Sequence, residues 1–371
     1  MPSLYVHIPF CERKCAYCDF YSLENIALKE RFLAALESEI ALAPDAGGPS
    51  PTLYFGGGTP SLLSPGELAR IMRALARRYP LAPGAEVTLE ANPGTVMLEK
   101  LRAFRDLGVN RLSIGVQSLA DGDLRFLGRI HDAGEAEACV ALARRAGFTN
   151  VSIDLIYALP GQTLAAWDAT LRRALALRPD HVSAYSLIVE EGTPLARSVA
   201  RGEVTPSGEE TEAALYEHTM AVMRREGFEH YEVSSYARPG FRSRHNSAYW
   251  AGEAYAGFGP SAHSYVPPAG GRPGVRRANV AALGAYCDAL ARGDLPVSMR
   301  EELTAAEAAN EQIFLGLRSG GVPLGAVGGP ARMALAGALA REGSAVMEGG
   351  MLRLTDRGYL LCDEIAARMM A

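Results

Sequence analysis

The sequence predicts an α/β fold on a parallel sheet, followed by a small α+β unit near the C-terminal end. Three observations carry this. In the first half of the 371 residues, six short runs rich in β-branched and aromatic residues alternate with longer stretches of helical periodicity. Six strands each followed by a helix imply parallel pairing through right-handed crossovers. After about Glu190 the alternation stops, and from Leu303 onward helices flank a glycine-centred hairpin.

In order, the predicted strands are 4–8, 52–55, 86–90, 111–116, 151–157 and 181–187. The helices between them are 27–42, 65–78, 98–107, 135–146 and 164–177. In 65–78, for example, Leu68, Ile71, Met72 and Leu75 follow the i, i+3, i+4, i+7 rule of a core-facing helix. Past 190, a helix over 209–225 leads into a strand-like 229–235. A Gly-, Pro- and Arg-rich stretch, 237–277, has little periodicity, and 280–291 reads as helix again. The tail reads as helices 304–317 and 330–341, a hairpin of 345–347 and 351–354 around Glu348-Gly349-Gly350, and a last helix 356–369. That order resembles a winged helix. The expected domains are therefore a barrel-like unit at 1–236, a loop-rich extension at 237–300 and the tail unit at 301–371.

Bulk composition narrows the class. With 48% apolar and 21% charged residues the chain has the make-up of a globular enzyme-sized protein. A net charge of −5 argues against nucleic acid as a partner, which needs a basic surface. No apolar run approaches the roughly 20 residues of a membrane span. Met1 is followed almost at once by a strand-like run, so no secretory signal is expected, and the predicted location is cytoplasmic.

The chemistry concentrates in Cys11-Glu12-Arg13-Lys14-Cys15-Ala16-Tyr17-Cys18. Three thiolates on so short a loop can hold three irons of a cubic four-iron cluster and leave the fourth iron open to a small molecule. A disulfide would leave one thiol over, and a zinc site usually wants a fourth ligand. His7 lies four residues upstream but alternates as a strand residue. The other cysteines, Cys139, Cys287 and Cys362, sit alone in helical patterns as buried thiols.

Further polar groups fall at predicted strand ends, where the chemistry of a parallel barrel belongs. Phe55-Gly56-Gly57-Gly58-Thr59-Pro60 ends the second strand, and glycine lets backbone approach a ligand closely. Glu90 ends the third strand, Gln117 the fourth, and Asp154 lies late in the fifth. Groups at successive strand ends converge on one cavity, and carboxylates there suit the hydroxyls and cationic groups of a nucleoside sulfonium.

The CxxxCxxC spacing resembles the radical S-adenosylmethionine (SAM) superfamily. The runs Leu89-Glu90-Ala91-Asn92-Pro93-Gly94, Gly115-Val116-Gln117-Ser118, Gly128-Arg129-Ile130-His131 and Asp154-Leu155-Ile156-Tyr157-Ala158-Leu159-Pro160-Gly161-Gln162-Thr163 are similar to its coproporphyrinogen III dehydrogenase-like family. The likeness extends from Tyr5 to the tail. It implies a partial (β/α)6 barrel and a [4Fe-4S] cluster on Cys11, Cys15 and Cys18. It also implies bound SAM, which in the superfamily is cleaved by one electron to a 5′-deoxyadenosyl radical. By motif, Tyr5, Tyr17, Gly57, Gly58, Thr59, Glu90, Gln117, Arg129 and Asp154 fall where the family contacts SAM.

Two branches of that family differ in function. The dehydrogenases convert two propionates of coproporphyrinogen III to vinyls; they carry CxxxCxxCxC and a long N-terminal extension. Here the extra cysteine's position is Phe20, and only ten residues precede Cys11. Both departures resemble the heme-chaperone (HemW-type) branch, as does His245-Asn246-Ser247-Ala248-Tyr249-Trp250, which matches its HNxxYW motif. The resemblance implies heme as a third cofactor, with His245 as an axial ligand, Tyr249 and Trp250 against the porphyrin and Arg242 and Arg244 on its propionates. The other reading of His245 and Trp250 is packing of this segment against the barrel. Heme-acceptor proteins, at a membrane face, and a homodimer are the implied partners. Oxygen-independent coproporphyrinogen III dehydrogenase is the alternative activity.

Overall fold

The computed structural model describes residues 1–44 and 47–370. The first strand–helix pairs are β1 (Ser3–Ile8) and α1 (Lys29–Leu42), β2 (Ser50–Gly57) and α2 (Pro65–Ala76), and β3 (Leu81–Ala91) and α3 (Leu98–Asp106). Then follow β4 (Arg111–Gln117), α4 (Asp121–Phe126), α5 (Ala133–Arg145), β5 (Val151–Tyr157), α6 (Leu164–Ala176), β6 (His181–Ser186), α7 (Pro194–Ala200) and α8 (Glu209–Arg225). Helix starts are written locally: Ser64 and Glu67 close a capping box on α2 ahead of Pro65, and Asp132 and Glu135 do the same on α5. On α2 the apolar stripe buries Leu68, Ile71 and Leu75, each contributing roughly 1.5–3 kcal/mol.

Strands β1 to β6 pair in chain order, all parallel, as a partial (β/α)6 barrel. Its strands depart from the usual parallel sheet, whose strands are apolar on both faces. One face carries Leu4, Val6, Ile8, Leu53, Phe55, Val87, Leu89, Leu112, Ile114, Ile153, Leu155 and Val182, all in the main core. The alternate positions are polar: Tyr5 and His7, Thr52 and Tyr54, Glu86 and Glu90, Arg111 and Ser113, Ser152 and Asp154, His181 and Ser183. Helices cover the apolar face, so the polar set lines the bore.

The stretch after 237 holds more regular structure than its sequence announces. Beyond β7 (Glu229–Glu232) and β8 (Ser235–Ala237) come α9 (Arg244–Trp250), β9 (Tyr255–Phe258), β10 (His263–Val266), β11 (Gly274–Asn279), α10 (Leu283–Ala291) and β12 (Val297–Leu303). Among the described residues the sheet has twelve strands in the order β12-β11-β10-β9-β1-β2-β3-β4-β5-β6-β8-β7. The expectation of a loop-rich extension is corrected: β9 runs parallel to β1, and β10 to β12 continue the sheet antiparallel. Glu39 of α1 anchors this extension. Its buried carboxylate accepts from Tyr286 Oη (2.6 Å), Gly259 N (2.7 Å) and Asn279 Nδ2 (2.5 Å).

The tail comprises α11 (Ala305–Leu317), β13 (Val322–Pro323), α12 (Leu324–Val327), α13 (Pro330–Arg341), β14 (Ala345–Glu348), β15 (Met351–Leu354), α14 (Asp356–Leu360) and α15 (Cys362–Met370). Its three-stranded sheet and its own hydrophobic cluster, including Ile313, Leu317, Leu352 and Ile365, give it a winged-helix-like form. The expected single last helix is two, broken at Leu361. We propose 1–236, 237–300 and 301–371 as the boundaries of barrel, extension and tail. No helix among the described residues is long and apolar enough to cross a membrane.

Candidate functional site

A cavity of about 410 Å³ opens at the C-terminal ends of β1 to β6. Ligand pockets are expected at this end of such a barrel, and the volume lies in the range of small-molecule sites. Cys11, Cys15, Cys18, Tyr17, Gly57, Gly58, Thr59, Glu90, Gln117, Arg129 and Asp154 all face it. Residues spread over 144 positions of sequence thus meet in one place because they come from strands β2 to β5 and the segments that follow β1, β2 and β4. Tyr5 and His245 are not among the lining side chains.

The loop after β1 carries the three cysteines, and the glycine run after β2 holds that loop. Gly58 N donates to Ile8 O (2.9 Å) and Thr59 N to Phe10 O (2.7 Å). Gly57 has φ +109°, and a Cβ there would lie 2.6 Å from the His7 ring. The glycines therefore do more than admit a ligand: they let β2 close onto His7. That imidazole has both nitrogens occupied, by Tyr5 Oη (3.1 Å) and Tyr21 O (2.8 Å), and burial lowers its pKa. It pins the far end of the cysteine loop to β1.

The three thiols are free and partly exposed toward the cavity. Thr59 Oγ1 donates to Cys11 Sγ (3.5 Å) and Arg129 Nη1 to Cys15 Sγ (3.4 Å), so donors already point at sulfur. Arg129 also donates through Nη2 to Asn92 Oδ1 (2.6 Å) and Gly115 O (3.1 Å), while its buried Nε has no partner. Gly115 is required here, since a Cβ would lie 2.7 Å from Asn92 Oδ1. Among the described residues no three His, Cys, Asp or Glu side chains converge on one point as ligands of a single ion. A cubic cluster spreads its three protein ligands over three irons, and an unpaired thiol set with cationic and hydroxyl donors suits it.

Deeper in the bore, Tyr54 Oη donates to Glu90 Oε1 (2.8 Å). Burial pushes the Glu90 carboxyl up to about 7, against the hydrogen bond from Tyr54 and with the charge of Asp154. Burial likewise raises Asp154 to about 6, opposed by the Arg111 charge and by Ser183 and Ser113, whose Oγ lies 3.3 Å from both carboxylate oxygens. Arg111 is only 1% exposed, faces the same cavity, and its Nε has no partner. Gln117 closes β4 at φ +65°, a left-handed conformation that costs a non-glycine residue energy and that recurs at binding sites.

Sequence reasoning missed Tyr54, Asn92, Arg111, Ser113, Ser183, Tyr185 and Asn246, all of which line the cavity. Strand alternation was the available signal: Tyr54, Arg111, Ser113 and Ser183 share the inward parity of Glu90 and Asp154.

Residues 5–174 match the model of the radical SAM superfamily. A protein of Mycobacterium tuberculosis called heme chaperone HemW is 39% identical over 99% of this chain and 94% of its own length. Its Bacillus subtilis namesake is 40% identical over 86% of this chain and 83% of its own. This chain belongs to the HemW branch of the radical SAM superfamily. Coproporphyrinogen III oxidase (HemN) of Escherichia coli, a radical SAM enzyme, superposes with a TM-score of 0.83 at 25% identity, covering 100% of this chain and 90% of that one. Membership of the superfamily implies a [4Fe-4S] cluster and SAM. In the HNxxYW segment of this HemW-branch chain, Asn246 lines the cavity while His245 does not.

His245 is 1% exposed, in α9 at the opposite end of the bore. Its Nδ1 bonds Thr52 Oγ1 (2.7 Å), its Nε2 bonds Tyr249 Oη (3.0 Å), and its ring stacks on Tyr54 at 4.9 Å. Burial and the Arg111 charge lower its pKa to about 3. In this conformation the ring offers no free nitrogen to an iron. Arg242 pairs with Glu229 (2.9 Å), and Arg244 Nη1 donates to Gly84 O (2.8 Å). Tyr5 stacks on Tyr54 at 6.2 Å and bonds His7 Nδ1 through its hydroxyl (3.1 Å).

Proposed function

We propose that this protein is a cytoplasmic heme chaperone. Cys11, Cys15 and Cys18 hold a [4Fe-4S] cluster, the cavity holds SAM, and heme is bound and handed to acceptor proteins. The observation that carries this reading is the meeting of the three cysteines and eight of the nine motif-assigned SAM residues around one cavity, with Phe20 where the dehydrogenase pattern has cysteine. The names of its relatives support heme as the cargo. When bound, the cluster supplies one electron at an open iron. The chain's own part is to place SAM beside it.

Each residue has a task in this proposal. Arg129, with Asn92 and Gly115 fixing its guanidinium, meets the carboxylate end of SAM near Cys15. Glu90 and Asp154 take ribose hydroxyls or the cationic groups, and Tyr17 packs on the base. Gln117, in its strained turn, presents its amide to the same ligand. Acceptors at a membrane face and a cluster-linked homodimer belong to this proposal.

HemN's likeness in fold favours a second reading, oxidative decarboxylation of coproporphyrinogen propionates. One anaerobic experiment separates the two. Reconstituted protein is titrated with heme and, separately, incubated with coproporphyrinogen III, SAM and a reductant. Stoichiometric heme binding without vinyl product is the expected result. Protoporphyrinogen formation overturns the chaperone reading.

A further inference from the structure

We propose that heme lies across the mouth of the cavity, on an apolar rim formed by Phe20 and Ile188, with Lys14 taking a propionate. This deepens the chaperone reading and rests on it. Phe20 and Ile188 both line the cavity, yet are 62% and 63% exposed. Large apolar side chains so open at the edge of a concave site mark a surface that something apolar covers.

The rim is built rather than incidental. Beneath it, Leu127, Ile156 and Leu159 form a small hydrophobic cluster apart from the main core, with Tyr17 and Leu187 packed against it. Tyr17 comes from the cysteine loop and Leu187 from the end of β6, so this cluster ties together the segments that present Phe20 and Ile188. Tyr185, also facing the cavity, is 43% exposed. An aromatic ring, an aliphatic side chain and a tyrosine around one opening suit a flat, apolar ligand better than a polar one.

Lys14 supplies a cation at this opening, whose lining also includes Asp19 and Glu190. Lys14 Nζ donates to Phe20 O (2.9 Å), which holds an ammonium at the backbone of the residue that carries the ring, with the lysine side chain exposed. Arg13, by contrast, is committed to Gly128 O (2.7 Å) and Arg129 O (2.9 Å). A planar macrocycle with carboxylate arms meets both features, its face on Phe20 and Ile188 and one arm on Lys14. No iron ligand is required at this place, and SAM beneath is enclosed when the rim is covered.

The test uses the full chain with its cluster reconstituted anaerobically. Heme and iron-free protoporphyrin are titrated into wild type, Phe20→Ser, Ile188→Ser, Lys14→Gln and His245→Ala. Phe20→Ser and Ile188→Ser should each weaken both porphyrins roughly tenfold or more. Lys14→Gln should weaken heme but leave heme dimethyl ester unchanged. His245→Ala should leave porphyrin affinity within a few-fold of wild type. Iron content is followed throughout, and Ile188→Ser, remote in sequence from the cysteines, decides the matter where Phe20→Ser disturbs the cluster. Wild type that binds heme while Ile188→Ser binds it equally well overturns the rim site and leaves the chaperone reading standing. Wild type that binds no heme overturns both. Loss of self-association with unchanged heme affinity assigns the rim to a second copy of the chain and also overturns the proposal.

Discussion

At its upper end the bore is open: the three thiols and the inward carboxyls face a cavity, and the buried Arg129 Nε has no partner. At its lower end α9 closes it, and the capacity is largely spent inside the protein. Glu86 accepts from Arg244 N (3.1 Å) and His245 N (3.0 Å), and Ser243 Oγ accepts from Asn246 N (3.2 Å). With Ser243 N donating to Tyr231 Oη (3.3 Å), all four amides that begin the helix are satisfied. His181 bonds Ser152 Oγ (2.8 Å) and Tyr231 Oη (2.7 Å) nearby. Both ends draw on the same polar alternation along β2 to β6. What separates a binding end from a sealing end is whether a helix covers it. His245 belongs to the covered end, with both ring nitrogens bonded within the protein.

The cysteines dominate the open end. Cys15→Ala should reduce iron and sulfide content to background while the far-ultraviolet circular dichroism stays native. Unfolding would mean that the open end is structural as well. At the sealed end the expected loss is stability. Glu86→Ala should lower unfolding free energy by about 2–3 kcal/mol through two orphaned helix amides, measured by denaturant titration, with SAM affinity unchanged.

A pH titration sharpens the contrast. Glu90 rises from 4.5 to about 7 and Asp154 from 3.8 to about 6 on folding. Raised carboxyls contribute stability below their unfolded values, and that contribution is lost as pH climbs through about 6 and 7. A cationic ligand favours the ionised forms, so SAM affinity should increase over the same window. Glu90→Gln should remove the upper part of that rise and keep the part near 6. An affinity flat from pH 5 to 8 contradicts the assignment of these carboxyls to SAM. The smallest effect concerns Gln117: Gln117→Gly should stabilise the apo protein by about 1 kcal/mol by relieving its φ of +65°, while weakening SAM binding.

The barrel was legible because its signals are local. The predicted strand 151–157 coincides with β5, and 65–78 overruns α2 by two residues at a helix whose Ser64, Pro65 and Glu67 announce its start. The cysteine loop and the strand-end residues were legible for the same reason. The extension was not. Strands β9 and β10 are four residues each, too short to show alternation, and β12 is an edge strand with Arg300, Glu301 and Glu302 exposed, where charge masks a strand pattern. Helix α9 has seven residues and begins through Glu86, a partner 158 positions away from Arg244, which no local reading finds. That long-range cap is also what buries His245, so its bonding state could not be read from its motif.

One paired measurement tests the difference between the two ends most directly: SAM affinity and unfolding midpoint of Arg129→Met and His245→Ala, both in cluster-reconstituted protein. The account predicts that Arg129→Met loses SAM binding by tenfold or more with a near-native midpoint. It predicts that His245→Ala keeps SAM affinity and loses about 2–4 kcal/mol of stability, because Thr52 and Tyr249 are left unpaired. The reverse pattern, with binding lost at His245 and stability lost at Arg129, would contradict it.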